Sequence, residues 1–146
     1  MADDYFPVVI HHNPECGTSR NVLAIIEAAG YTPTVVEYLK DGWARPQLLA
    51  LFAAAGLTAR QALREKNTPA AELGLLADGV GEDALIAAMI EHPLLVQRPF
   101  VATPKGVKLC RPDSAIVLDL LERLPKGPFA KEDGTLLIDA NGKRVE

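Results

Sequence analysis

HHNPECGTSR, residues 11–20, joins an apolar, β-branched run to the start of a helical pattern, and a single cysteine sits at the junction. Upstream, residues 7–12 (PVVIHH) read as a short strand that ends at the Asn13-Pro14 turn. Downstream of Gly17, the apolar positions Val22, Leu23, Ile25, Ile26 and Ala29 recur at helical spacing, and Gly30 supplies a stop just past the helix. Residues 34–39 (TVVEYL) read as a second strand. Residues 7–39 therefore predict a β-α-β unit, with parallel strands and a right-handed crossover. Cys16 falls at or beside the helix N-terminus.

The pattern changes after Asp41-Gly42. Pro46 suits a first helical turn, Leu48, Leu49, Leu51, Phe52 and Ala55 form a stripe, and Gly56 ends it. Thr58 reads as the N-cap of a short helix ending near Arg64, residues 66–80 as mostly loop, and residues 82–91 as a helix closed by Pro93. Residues 100–103 and 107–110 flank Pro104-Lys105-Gly106 as a hairpin, and Asp113 or Ser114 can cap a last helix. The order predicts an α/β fold: a thioredoxin-like mixed β-sheet flanked by helices, with a helical insertion between its β-α-β and β-β-α halves. That domain spans residues 1–124, the insertion about 42–93. Residues 125–146 form a polar tail, packed on the domain or trailing from it, with a small hairpin around Asn141-Gly142.

At 146 residues and 49% hydrophobic, the chain suits one domain with a sizeable core. It has no leader-like start and no apolar run near the roughly 20 residues of a membrane span, which predicts a soluble, cytoplasmic protein. A net charge of −4 argues against a nucleic-acid partner. With no long apolar stripe left over, monomer is the default. Two cysteines make no disulfide framework, and with three histidines they lack zinc-site spacing, so no metal is assigned.

Free cysteine is usually inert packing. Cys16, however, lies outside the apolar pattern and beside the free N–H groups of a helix start, which favour thiolate over thiol and also favour a bound oxyanion. Ser19 stands where a C-x-x-C motif would place a second thiol, so the site has no built-in resolving cysteine. Cys110 reads as packing at a strand end. The cysteine-phosphatase loop is absent too, because the first arginine after Cys16 is Arg20. Charge for an anion could come from Arg64, Arg98 and Arg111, each at the edge of a predicted element near a chain reversal; any one of them could equally be a solvated surface group. Guanidinium forks match tetrahedral oxyanions. His12 could lend positive charge or a hydrogen bond to a thiolate, and His92 reads as a helix C-terminal cation.

HNPECGTSRN (12–21) resembles the active-site signature of the glutaredoxin-dependent arsenate reductases. The similarity continues through ALREKNTPAAELGL (62–75), EHPLLVQRPFVATPKGVKLCRP (91–112) and KEDG (131–134). The resemblance implies Cys16 as nucleophile, Arg64, Arg98 and Arg111 as the anion-binding arginines, His12 as a thiolate-supporting histidine and Ser19 as a supporting hydroxyl. It also implies a cis peptide before Pro99. Glutathione would be co-substrate and glutaredoxin the protein reductant, with no bound cofactor. Glu15 before the cysteine and Gln97 before Arg98 are the departures.

Two other classes compete with this reading. Thioredoxin-like redox regulators bind a protein partner, but they rely on a C-x-x-C switch that Ser19 interrupts. A glutathione-dependent thiol reductase without arsenate activity could also use arginines, since glutathione carries carboxylates.

Overall fold

The computed structural model describes residues 6–145. Residues 1–5, within the stretch read above as leaderless, and residue 146, the last of the tail, lie outside them. The chain divides into two compact units, one running to Glu37 and resuming at Arg98, the other spanning Tyr38–Gln97.

The first unit holds β1 (Val9–His11), α1 (Gly17–Ala28), β2 (Thr34–Val36), and beyond the second unit a four-residue pair of strands, Phe100–Thr103 and Gly106–Leu109. The sheet is mixed. β1 pairs with β2 in parallel, Ile10 opposite Val35, and on its other side runs antiparallel to the Phe100 strand, Ile10 opposite Val101; that strand pairs antiparallel with the Gly106 strand. The parallel pair is what the α1 crossover requires, and the remaining pairs follow from a tight hairpin. This is the thioredoxin-like mixed arrangement. Val8, Ile10 and Val101 bury against Val22, Ile25 and Ile26 of α1, and against Val117, Leu118 and Leu120 of a 3₁₀ helix, Ser114–Leu120. Each fully buried aliphatic of this kind contributes about 1.5–3 kcal/mol.

The sequence expectation is corrected at β2 and at the last helix. β2 ends at Val36, because Tyr38 turns inward, fully buried, and stacks on Trp43 with ring centroids 5.0 Å apart; Tyr38–Asp41 becomes the short helix α2. The last helix is 3₁₀ and not α. Asp113 Oδ1 accepts the Ala115 N–H at 3.0 Å and the Asp113 carbonyl accepts the Ile116 N–H at 3.1 Å, so the tighter i+3 bond is made first, ahead of a β-branched Ile116-Val117 pair that is weak in an α-helix. In the tail, Phe129–Ala130 and Leu136–Ile138 pair as a two-stranded sheet, and Leu137 and Ile138 join the core of the first unit. Asn141-Gly142 makes a further turn, bridged by Ile138 and Arg144, with Gly142 at φ +80°.

In the second unit, α3 (Arg45–Ala55) carries Pro46 in its first turn and stops at Gly56 with φ +71°, a left-handed stop that glycine adopts without a Cβ penalty. α4 (Ala59–Ala62) is capped by Thr58, whose hydroxyl accepts the Gln61 N–H at 3.1 Å while Gln61 Oε1 accepts the Thr58 N–H at 2.9 Å. Leu48, Phe52, Leu85, Ile86 and Met89 from α3 and α5 (Glu82–Glu91) are buried. Arg60 donates to the carbonyls of Leu75, Ala77 and Val80, which pins the glycine-rich loop between α4 and α5. Among the described residues, no helix is long and apolar enough to cross a membrane.

Candidate active site

The strand register explains why distant residues meet. His11 lies opposite Phe100, and Phe100 opposite Leu109. Continuing the second register by two residues sets Arg98 opposite Arg111, and the Cys110 N–H bond to the Pro99 carbonyl at 2.9 Å keeps the pairing that far. The C-terminal end of β1, which leads to Cys16, lies at this same end of the sheet. The peptides before Pro99 and Pro112 are both cis.

The loop after β1 is a chain of local bonds. His12 donates its N–H to the Val36 carbonyl at 2.8 Å, the Asn13 side-chain oxygen accepts the Glu15 N–H at 2.9 Å, and the Asn13 carbonyl accepts the Cys16 N–H at 3.0 Å. This Asx-type turn fixes Cys16 as the N-cap of α1, in extended conformation, with its own carbonyl accepting the Arg20 N–H at 2.9 Å. The first N–H groups of α1 have no intrahelical partner, and among them the Ser19 N–H favours the Cys16 thiolate.

Cys16 is 8% exposed. Burial pushes its thiol up, but the Ser19 backbone N–H and the guanidinium groups of Arg98 and Arg111 outweigh burial and hold it below the ordinary cysteine value. Arg111 Nη1 lies 3.5 Å from Sγ. Arg98 is buried, and its Nε and Nη1 have no hydrogen-bond partner. Unpaired buried donors are costly, and such a guanidinium is suited to an oxyanion.

Ser19 is fully buried. Its hydroxyl meets His12 Nδ1 at 2.6 Å and accepts the Asn13 N–H at 3.1 Å, tying the loop to the first turn of α1. Burial lowers the His12 pKa; Glu37 and Glu27 raise it and Arg20 lowers it, with a net downward direction. The imidazole is therefore neutral at neutral pH, and the polar contact it makes is to Ser19.

Cys16, His12, Ser19, Arg98 and Arg111 thus lie in one unit. Arg64 lies in the other, where its N–H donates to the Leu95 carbonyl at 2.6 Å and Nη1 to Gln97 Oε1 at 3.3 Å, next to a bridge between Leu63 and Val96. Cys110 is fully buried, and burial pushes its thiol up to about 12. Such a thiol is a poor nucleophile at neutral pH. Among the described residues, no group of three or more His, Cys, Asp or Glu side chains is placed to hold a metal ion.

The sequence marks Asn13 only as a turn residue, with no sign that it is buried to 2% exposure at the centre of the cysteine loop, and it does not reveal the pair Arg20–Glu132. The signal for that pair lay in two quoted segments, SRN (19–21) and KEDG (131–134), whose contact only the fold reveals.

The model of the ArsC family matches residues 11–117, which include every candidate residue named above. The chain belongs to the ArsC family. Within it, the chain is 64% identical over 138 residues to the arsenate reductase ArsI2 of Synechocystis, covering 94% of this chain and 98% of the relative. It is 59% identical over 138 residues to an arsenate reductase of Rhizobium meliloti, at the same coverage. Among solved structures, the arsenate reductase of Vibrio cholerae superposes with a TM-score of 0.76 at 38% identity, covering 81% of this chain and all of that one. This ArsC-family chain therefore matches both relatives along nearly their whole length, so the likeness is not confined to the cysteine loop.

Proposed function

We propose that the protein reduces arsenate to arsenite, with Cys16 as nucleophile and glutathione and glutaredoxin supplying the electrons. The observation that carries the reading is the pairing of a thiolate-favouring Cys16 with the buried, unpartnered Nε and Nη1 of Arg98. A thiolate and an oxyanion repel each other, and fixed guanidinium groups offset that repulsion as the two approach. Names of relatives and the ArsC match support arsenate as the anion.

In this scheme Cys16 Sγ attacks arsenic, an arsenate oxygen leaves as water, and an S–As bond forms. Glutathione thiolate then attacks Sγ, and the S–As electron pair stays on arsenic, which departs as arsenite. Cys16 is left in a mixed disulfide with glutathione. A glutaredoxin thiol takes the glutathione and returns Cys16 to the thiol. Ser19 in place of a second cysteine is the reason for an external donor, since Cys110, with its raised pKa, is a poor resolving thiol. Arg98 and Arg111 hold the anion and the thiolate, and Ser19 and His12 hold the loop. Arg64 is assigned to the same anion on its match to the arsenate reductase signature. The test is arsenite production from arsenate with purified protein, glutathione and glutaredoxin, comparing the wild type with Cys16→Ser and Arg64→Ala. Turnover lost in the first and a raised KM in the second support the reading; a wild type without turnover, given active reductants, overturns it.

A further inference from the structure

The turn at residues 131–134 bonds to the start of α1, just after Cys16, and reaches Asp113, two residues beyond Arg111. Glu132 grips Arg20 in a two-bonded fork, Nε to Oε2 at 2.9 Å and Nη2 to Oε1 at 3.2 Å, and the third nitrogen of the same guanidinium, Nη1, donates to the Pro14 carbonyl at 2.9 Å. Arg20 is thus held at both ends: by the tail and by the loop two residues before Cys16. The Glu132 N–H also donates to Asn21 Oδ1 at 3.0 Å. On the other side, Lys131 Nζ lies 3.9 Å from Asp113 Oδ1, two residues beyond Arg111, and Asp113 caps the following 3₁₀ helix. The turn is itself closed by backbone hydrogen bonds. The Lys131 N–H donates to the Thr135 carbonyl and the Gly134 N–H to the Lys131 carbonyl, both at 2.9 Å, and Gly134 has φ +90°. It closes the hairpin whose Leu137 and Ile138 are buried in the core.

We propose that Glu132 and Lys131 form a clasp that joins the Cys16 loop to the Arg111 loop, making Glu132 a positioning residue that keeps Cys16 within reach of Arg111. The ArsC match ends at residue 117, so this turn lies outside it. The inference rests on the reading of Cys16 as the reacting group, but its test does not need arsenate turnover.

The charged groups around the sulfur are Arg98, Arg111 and Arg20, with Glu15 beside it in sequence and His12 neutral. If Glu132 acted only as a charge, removing it would unmask Arg20 and lower the Cys16 pKa. If it acts as a clasp, removing it lets Arg111 and the helix start drift from Sγ, and the pKa rises. The two roles differ in sign.

The experiment follows the rate of Cys16 alkylation by iodoacetamide against pH in the full chain, with the adduct located by mass spectrometry. Glu132→Ala and Lys131→Ala should move the profile to higher pH and lower kcat/KM for arsenate by about two- to fivefold, the scale of a partly exposed ion pair. Glu132→Gln, which keeps one bond to Arg20, should fall between the wild type and Glu132→Ala, and decides the matter if the alanine variant does not fold. A profile that stays in place or moves to lower pH in the folded variants overturns the clasp. A wild type that does not reduce arsenate would remove the reductase reading alone, leaving the alkylation result to judge the clasp.

Discussion

Arg111 Nη1 reaches Cys16 Sγ at 3.5 Å and the Arg98 carbonyl at 3.1 Å, across 95 and 13 positions of sequence respectively. One guanidinium therefore links the sulfur to the backbone that presents the second arginine. This geometry serves two ends: it favours the thiolate, and it fixes the spacing between the nucleophile and the buried donors of Arg98.

Arg111→Ala removes both links. Losing a hydrogen bond to a charged group costs about 1.5–3 kcal/mol, so kcat/KM for arsenate should fall about ten- to hundredfold. The alkylation profile of Cys16 should move to higher pH. Arg111→Lys should recover only part of this, because a single ammonium lacks the planar fork. An alanine variant with an unmoved alkylation profile would show that Arg111 does not act on the sulfur.

The pH dependence follows from two depressed groups. Cys16 sits below the ordinary thiol value, so its thiolate stabilises the fold above the unfolded pKa, and that contribution is lost as pH falls through the folded one. His12 is also depressed, and its contribution fades from the ordinary value of 6.5 downward as the unfolded chain takes up the proton first. Both signs predict lower stability on acidification. The rate should rise with pH along a limb set by Cys16, lying below the range of a free cysteine. Steady-state kinetics across pH, paired with thermal melts, check both; an activity limb at the free-thiol pH would rule out the assisted thiolate.

Much of this was legible in the chain. The β-α-β unit, the cap position of Cys16 and the Thr58 cap all follow from turn and periodicity signals that act within a few residues. Tyr38 was misread because its burial against Trp43 is a tertiary effect that overrides the β-branched pattern of TVVEYL. The tail reads as polar because Leu136-Leu137-Ile138 is one short apolar run among many polar residues, too short to show a period, yet Leu137 and Ile138 reach the core. Arg20 shows in the sequence only that the cysteine-phosphatase spacing is absent, since nothing local signals a partner 112 positions away. Arg98 and Arg111 were found as loop arginines, but their meeting is a matter of hairpin register.

Cys110 offers a separation of the two thiols. It is fully buried with its pKa pushed up to about 12, so in the native protein at neutral pH iodoacetamide should label Cys16 alone. Cys110→Ala should keep arsenate reduction within about twofold, while the small cavity lowers stability by about 1 kcal/mol. Peptide mass spectrometry and a thermal melt read the two effects. Loss of turnover in a folded Cys110→Ala variant would bring this thiol back as a resolving group.

Ser19 supports the loop through its hydroxyl and the sulfur through its backbone, and the two can be separated. Ser19→Ala strips the partner from His12 Nδ1 and from the Asn13 N–H, both buried, at a cost of about 1–3 kcal/mol. The backbone N–H that favours the Cys16 thiolate remains in the alanine variant. Stability should therefore fall while the Cys16 alkylation profile stays near the wild type, at temperatures where the variant is folded. A shift as large as that of Arg111→Ala would mean that the hydroxyl, by fixing the turn, governs the thiolate as much as the arginine does; calorimetry and the alkylation profile on one preparation decide between them.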